Sequence, residues 1–173
     1  MLDSSGEVPL AEDHRARGIA ANPPGPRPDV WMLCSSPGSA AFAGQMGLKL
    51  AFADFLNPGG AGDALAAYHD AFEPSPFCAE PYAGIGLVVL AAETETEADH
   101  LAGSIKAWAL GRGTGEFRPY LDAATANEYL ANAPLEPPQR GIIGTGLSVA
   151  REQITVAQPA RADALFLLSI TDS

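Results

Sequence analysis

Basic residues are scarce in this sequence. Ten Lys and Arg stand against 21 Asp and Glu, for a formal charge of −11. The ten are scattered and form no stripe, whereas DNA, RNA and anionic lipid all demand a basic face. Binding to nucleic acid or to a membrane surface is therefore not expected. Cysteine is nearly absent. Cys34 and Cys78 have no metal-type spacing and make no Cys-x-x-Cys, so the expectation is two free thiols in a reducing compartment and no metal centre. Long apolar runs are missing as well. Nothing approaches the roughly 18 residues of a membrane helix. The stretch Met1 to Arg17 is polar and acidic, without the apolar centre of a secretory signal. These absences together point to the cytoplasm.

What is present reads as a globular chain of 173 residues, 47% apolar and 18% charged, with 18 Gly and 15 Pro set mainly between apolar runs. Residues 1–28 are polar and then Pro-rich, which suits an extended lead-in. Val30 to Leu33 is a short apolar run between prolines and the serine-rich Cys34-Ser35-Ser36-Pro37-Gly38-Ser39, and it predicts a buried strand. A helix over Ala40 to Met46, ending at Gly47, follows from its composition. Leu48 to Ala53 predicts a second strand, and Gly62 to Phe72 a helix with Ala64, Leu65, Tyr68 and Phe72 at helical spacing. Ile85 to Ala92 is continuously apolar, as in strands buried on both faces. Thr94 or Thr96 can cap a helix running through Leu101, Ile105 and Trp108. From Gly111 to Gly141 the pattern weakens to that of an insertion, with a short helix over Asp122 to Asn132. A helix over Ser148 to about Ala157 and a fourth strand over Ala164 to Ile170 complete the series. Strands alternating with helices imply a parallel α/β sheet with right-handed crossovers. Periodicity alone leaves open a doubly wound sheet or part of a (β/α)8 barrel.

An ordered set of segments carries a family resemblance. Pro28 to Ala40 resembles the fifth strand and following loop of bacterial-luciferase-like flavin-dependent monooxygenases, and Gly47 to Ala53 resembles the sixth strand. Glu80-Pro81-Tyr82 leading into Ile85 to Ala92 is similar to the seventh. Ile142-Ile143-Gly144-Thr145 with Val149 to Ile154 resembles the helix before the eighth strand, and Ala162 to Ile170 that strand itself. The resemblance spans about Asp13 to Ser173. It implies the C-terminal half of a (β/α)8 TIM barrel, about four parallel strands with helices, with 29–173 as the barrel domain and the first four strands and last helix missing. Cys34 stands where the family usually has Gly.

The same resemblance implies an enzyme that uses reduced FMN, or coenzyme F420, and oxygen to oxygenate a small organic substrate. The turn after the first strand is the candidate site. It opens a helix at a strand's C-terminal end, where backbone N–H groups and the dipole favour an anion and serine hydroxyls add neutral donors. By resemblance Ser35, Ser36 and Ser39 contact the flavin phosphate; by chemistry alone they are helix-capping serines. His14, His69 and His100 lie far apart and read as surface histidines, and no general base is assigned. Cys34, beside a helix N-terminus, is read as a buried, inert thiol rather than a reactive one. Trp31 and Trp108 read as packing residues. Gly-Arg-Gly-Thr-Gly at 111–115 follows a helix, so it is no dinucleotide fingerprint. Half a barrel leaves two unpaired edges, which calls for a complementary half-barrel chain or a homodimer. The alternative readings are a truncated, non-catalytic half barrel and a small flavin- or phosphate-binding module.

Overall fold

The computed structural model describes residues 11–15, 28–116, 119–138 and 141–169. Two units are distinguished, Met1–Val30 and Trp31–Ser173. Of the first, the described part includes a turn closed by the His14 amide on the Ala11 carbonyl at 3.0 Å. Most of the Pro-rich lead-in lies outside the described residues, as do Ile170 and the three residues after it.

The second unit is a parallel sheet with its helices. Strand β1 (Trp31–Cys34), helix α1 (Pro37–Gln45), β2 (Lys49–Ala53), α2 (Ala61–Asp70) and β3 (Ala83–Ala92) follow in strict alternation. Then come α3 (Glu95–Leu101), α4 (Gly103–Thr114), α5 (Ala123–Ala131), β4 (Ile142–Thr145), α6 (Gly146–Ala160) and β5 (Ala164–Ser169). Every strand pair is parallel: β1 with β2, and β3 with each of β2, β4 and β5. Gly84, Ile85 and Gly86 pair with both β2 and β5, so those two strands lie on opposite edges of β3. Four strands therefore run side by side as β1-β2-β3-β5, with β4 paired to the far end of β3, from Val89 onward. The chain has the α/β architecture of a partial TIM barrel.

Strand residues alternate between two environments, as the pleat requires. Leu50, Phe52, Ala83, Ile85, Leu87 and Val89 point to the helix-covered side and form the main core with Leu65, Tyr68 and Val149. Trp31, Leu33, Ala51, Gly84, Gly86, Phe166 and Leu168 share the opposite, inner face. That face curls tightly enough to bring Trp31 of β1 and Phe166 of β5 edge to face, with ring centroids 5.1 Å apart. Phe166 covers Gly84, where a Cβ would stand 2.5 Å from the ring. Small residues also set the helix layer. A Cβ on Gly44 of α1 would lie 2.6 Å from the Tyr68 carbonyl, so glycine permits the close approach of α1 to α2.

Several boundaries depart from the sequence expectation. Helix α1 starts at Pro37 rather than Ala40, because Ser36 caps it and proline suits the first helical position. The helix expected through Trp108 is two, α3 capped by Thr94 and α4 abutting it at Ala102. Ile142–Thr145, before the helix expected from Ser148, is a strand and raises the count from four to five. Helix α6 begins directly after it, capped by Thr145.

Candidate functional site at the strand C-termini

All parallel strands deliver their C-terminal ends to one rim, which is where barrel folds build their sites. At the end of β1 the serine corner is formed as a capping box. The Ser36 hydroxyl accepts from the Ser39 amide at 3.3 Å, and the Ser39 hydroxyl accepts from the Ser36 amide at 3.3 Å. The two hydroxyls lie 2.9 Å apart, and the Ser39 hydroxyl donates to the Ser36 carbonyl at 3.0 Å. Ser36 and Gly38 are exposed, and a Cβ at Gly38 would meet nothing within 4 Å, so the mouth of α1 is open. The first turn of α1 holds no carboxylate, leaving its dipole without a side-chain counter-charge.

The neighbouring loop is tied to this corner. Asn57, after β2, donates from Nδ2 to the Ser35 carbonyl at 3.1 Å. Asp54 braces the same loop by accepting from the Gly59 amide at 3.0 Å. Burial raises the Asp54 carboxyl above its ordinary range, offset in part by that N–H. Asp54 also lines a cleft of about 290 Å³ with Gly59, Leu87, Ile142, Glu152 and Val156.

Farther along the rim, Glu95 of α3 reaches the start of α6. Its carboxylate accepts from the Thr145 amide at 3.1 Å and from the Ser148 hydroxyl at 2.9 Å. These bonds hold its pKa below the usual carboxylate range. A negative group thus already sits on the N-terminus of α6, in contrast to the open start of α1.

The sequence-selected residues sort plainly. Ser36 and Ser39 come together, and Ser35 precedes them with its carbonyl accepting from Asn57. Cys34 is buried behind the corner, and burial pushes its thiol up, against a smaller lowering by Ser39. His14 and His100 are exposed, but His69 is half-buried, its Nε2 without a partner in the interior. Its place on α2, next to the buried Tyr68, takes it out of the surface class. Trp31 packs on Tyr82 and Phe166, and Trp108 lies under Arg112 and near Tyr120. Asn57, Glu95 and Ser148 were not singled out from the sequence. Their partners lie 22 to 53 residues away, and no local pattern signals them. Among the described residues no group of three or more His, Cys, Asp or Glu could hold a metal, and no helix is long and apolar enough to cross a membrane.

A parallel α/β half barrel with an open, serine-lined helix start at its C-terminal rim defines the class of this protein. No family model matches the chain. It is 45% identical over 107 residues to YvbT, an uncharacterized protein of Bacillus subtilis, covering 62% of this chain and 29% of that one. It is 38% identical over 77 residues to a luciferase-like monooxygenase of Escherichia coli, covering 44% of this chain and 23% of the relative. Among solved structures, apo-MsnO8 superposes with a TM-score of 0.83 at 24% identity, covering 99% of this chain and 52% of that one. The FMN-bound oxygenating constituent of 3,6-diketocamphane monooxygenase from Pseudomonas putida gives 0.57 at 17% identity, covering 91% and 47%. An F420-dependent secondary alcohol dehydrogenase gives 0.56 at 12% identity, covering 97% and 52%. The chain has the fold of these luciferase-like structures and is similar in sequence to part of a luciferase-like monooxygenase, and it spans about half the length, or less, of the relatives it matches.

Proposed function

We propose that this chain is the C-terminal half of a flavin-dependent monooxygenase, working with reduced FMN or coenzyme F420 and oxygen on a small organic substrate. The observation that carries this reading is the serine corner: an open helix start, free of carboxylates, at the active rim of a luciferase-like half barrel. The residues there fit a phosphate. Exposed Ser36 and the Gly38 backbone face open space, and the Ser36 and Ser39 hydroxyl protons can turn outward by giving up the bond between the two hydroxyls and that from Ser39 to the Ser36 carbonyl. Ser35, Ser36 and Ser39 would hold the cofactor phosphate, and the Asn57 tie would keep the adjoining loop in register with them. The bound flavin would supply the redox chemistry with oxygen, and the protein the binding, orientation and exclusion of water. An acidic chain without a basic groove is consistent with a small-molecule substrate rather than a polyanion.

Flavin titration tests this, read by fluorescence on the whole chain. Replacing Ser36 and Ser39 together by Ala should weaken FMN or F420 binding about tenfold, the equivalent of two lost neutral hydrogen bonds. Equal affinity of the variant and the parent chain for both cofactors would refute the assignment. The open inner face favours a second reading, in which the chain alone binds no flavin because the barrel is incomplete. Its signature is a colourless protein that takes up neither cofactor at any concentration tried.

A further inference from the structure

The inner face of the sheet is apolar and partly uncovered. Leu33, Phe166 and Leu168 are 63%, 39% and 41% exposed, and Leu167, on the other side of the same edge strand, is 51% exposed. A sheet face of this kind marks an interaction surface. Two strand edges border it. Among the described residues β1 pairs only with β2, and β5 only with β3.

We infer that a second copy of this chain covers this face, closing an eight-stave barrel in which β1 of each copy lies beside β5 of the other. This rests on the half-barrel architecture and not on the flavin assignment. Three features select a second copy as the occupant. The first is number: the strands paired side by side as β1-β2-β3-β5 are four, and twice four is the count at which a barrel interior is just filled by side chains. The second is direction. Every pairing is parallel, so a two-fold axis along the strands brings the β1 edge of one copy to the β5 edge of the other in the same sense. Both joints form at once and leave no edge over. The third is charge. Despite the net −11, the five strands carry one charged residue, Lys49, whose ammonium sits 5.5 and 5.4 Å from the rings of Trp31 and Tyr82. The acidic groups lie outside the strands, with Asp29 and Asp163 before the two edge strands rather than within them. Closure would also set the two serine corners on the same rim.

Light scattering on the purified full chain at micromolar concentration, without flavin, tests the inference. The expected mass is twice 17.9 kDa. Leu33→Asp and Leu168→Asp, on the inner face, should each halve the mass, and Leu147→Asp, on exposed α6, should not. Should the inner-face variants fail to fold, hydrogen exchange on the parent chain decides: dilution should speed exchange in 31–34 and 164–169 and leave β2 unchanged. A soluble monomer, an open-ended series of oligomers, or a dimer indifferent to both inner-face charges would overturn it. So would a stable one-to-one complex with the N-terminal half of a luciferase-like relative that displaces the second copy.

Discussion

Replacing Tyr68 by Phe removes one oxygen atom from the centre of the molecule and nothing else. The side chain is fully buried on α2. Its hydroxyl donates to the Leu48 carbonyl at 2.9 Å and accepts from the Tyr82 amide at 3.0 Å, joining the starts of β2 and β3. Burial raises the phenol pKa, so the group stays protonated and remains a donor throughout the neutral range. Phe keeps the ring and its edge contact with Phe72, so little cavity term arises. What remains is the cost of two backbone groups losing their partner. A buried unsatisfied group costs about 1–3 kcal/mol; Leu48 is half-buried and Tyr82 more exposed, which puts the sum at about 2 kcal/mol. For a chain of this size each kcal/mol is worth roughly 2–4 °C, so the melting temperature should fall by roughly 4–8 °C. Thermal and urea unfolding of the parent and the variant at pH 7 provide the measurement. A melting temperature within about 1 °C of the parent, at an unchanged urea slope, would refute the claim that this hydroxyl pins the two strands together.

Three further outcomes are expected. Gly47→Ala places a Cβ at φ +58° and 2.4 Å from the Ser75 Cβ, which should cost about 2 kcal/mol or more by strain and displacement and is read by thermal melting. Asp163→Ala removes the carboxylate that accepts from the Ala83 amide at 2.8 Å; a loss of about 1–3 kcal/mol is expected, with faster hydrogen exchange at Ala83, and Asp163→Asn, which keeps an acceptor, should recover part of it. Glu95→Gln tests acid linkage. The folded pKa of Glu95 lies below its unfolded value, so its contribution is complete above the unfolded carboxylate range and is lost as pH falls through the folded value. The melting-temperature gap between parent and variant should be widest near pH 7 and close in acid; a gap independent of pH would count against the bonds to Thr145 and Ser148.

The staves were legible because they are continuous apolar runs bounded by turn residues, the pattern a strand buried by helices must have. Strand β4 was not. Four residues, Ile-Ile-Gly-Thr, run straight into the cap of α6, without the turn residues that set off the equally short β1. The split at Ala102 escaped for a different reason: no proline or capping side chain marks it. The serine corner showed itself because capping is local, confined to residues 36 to 39. The ties from Asn57 to Ser35 and from Glu95 to Thr145 and Ser148 depend on which loops the sheet brings together. That information resides in topology rather than in any window of sequence.

Gly144 has a consequence for how the rim can vary. A Cβ there would stand 2.8 Å from one Glu95 oxygen and 2.3 Å from the Ser148 hydroxyl. Any side chain at 144 evicts the carboxylate and bares the positive end of the longest helix. One methyl group would thus leave α6, like α1, without a side-chain counter-charge at its N-terminus, and would alter the electrostatics of the barrel mouth without touching a serine.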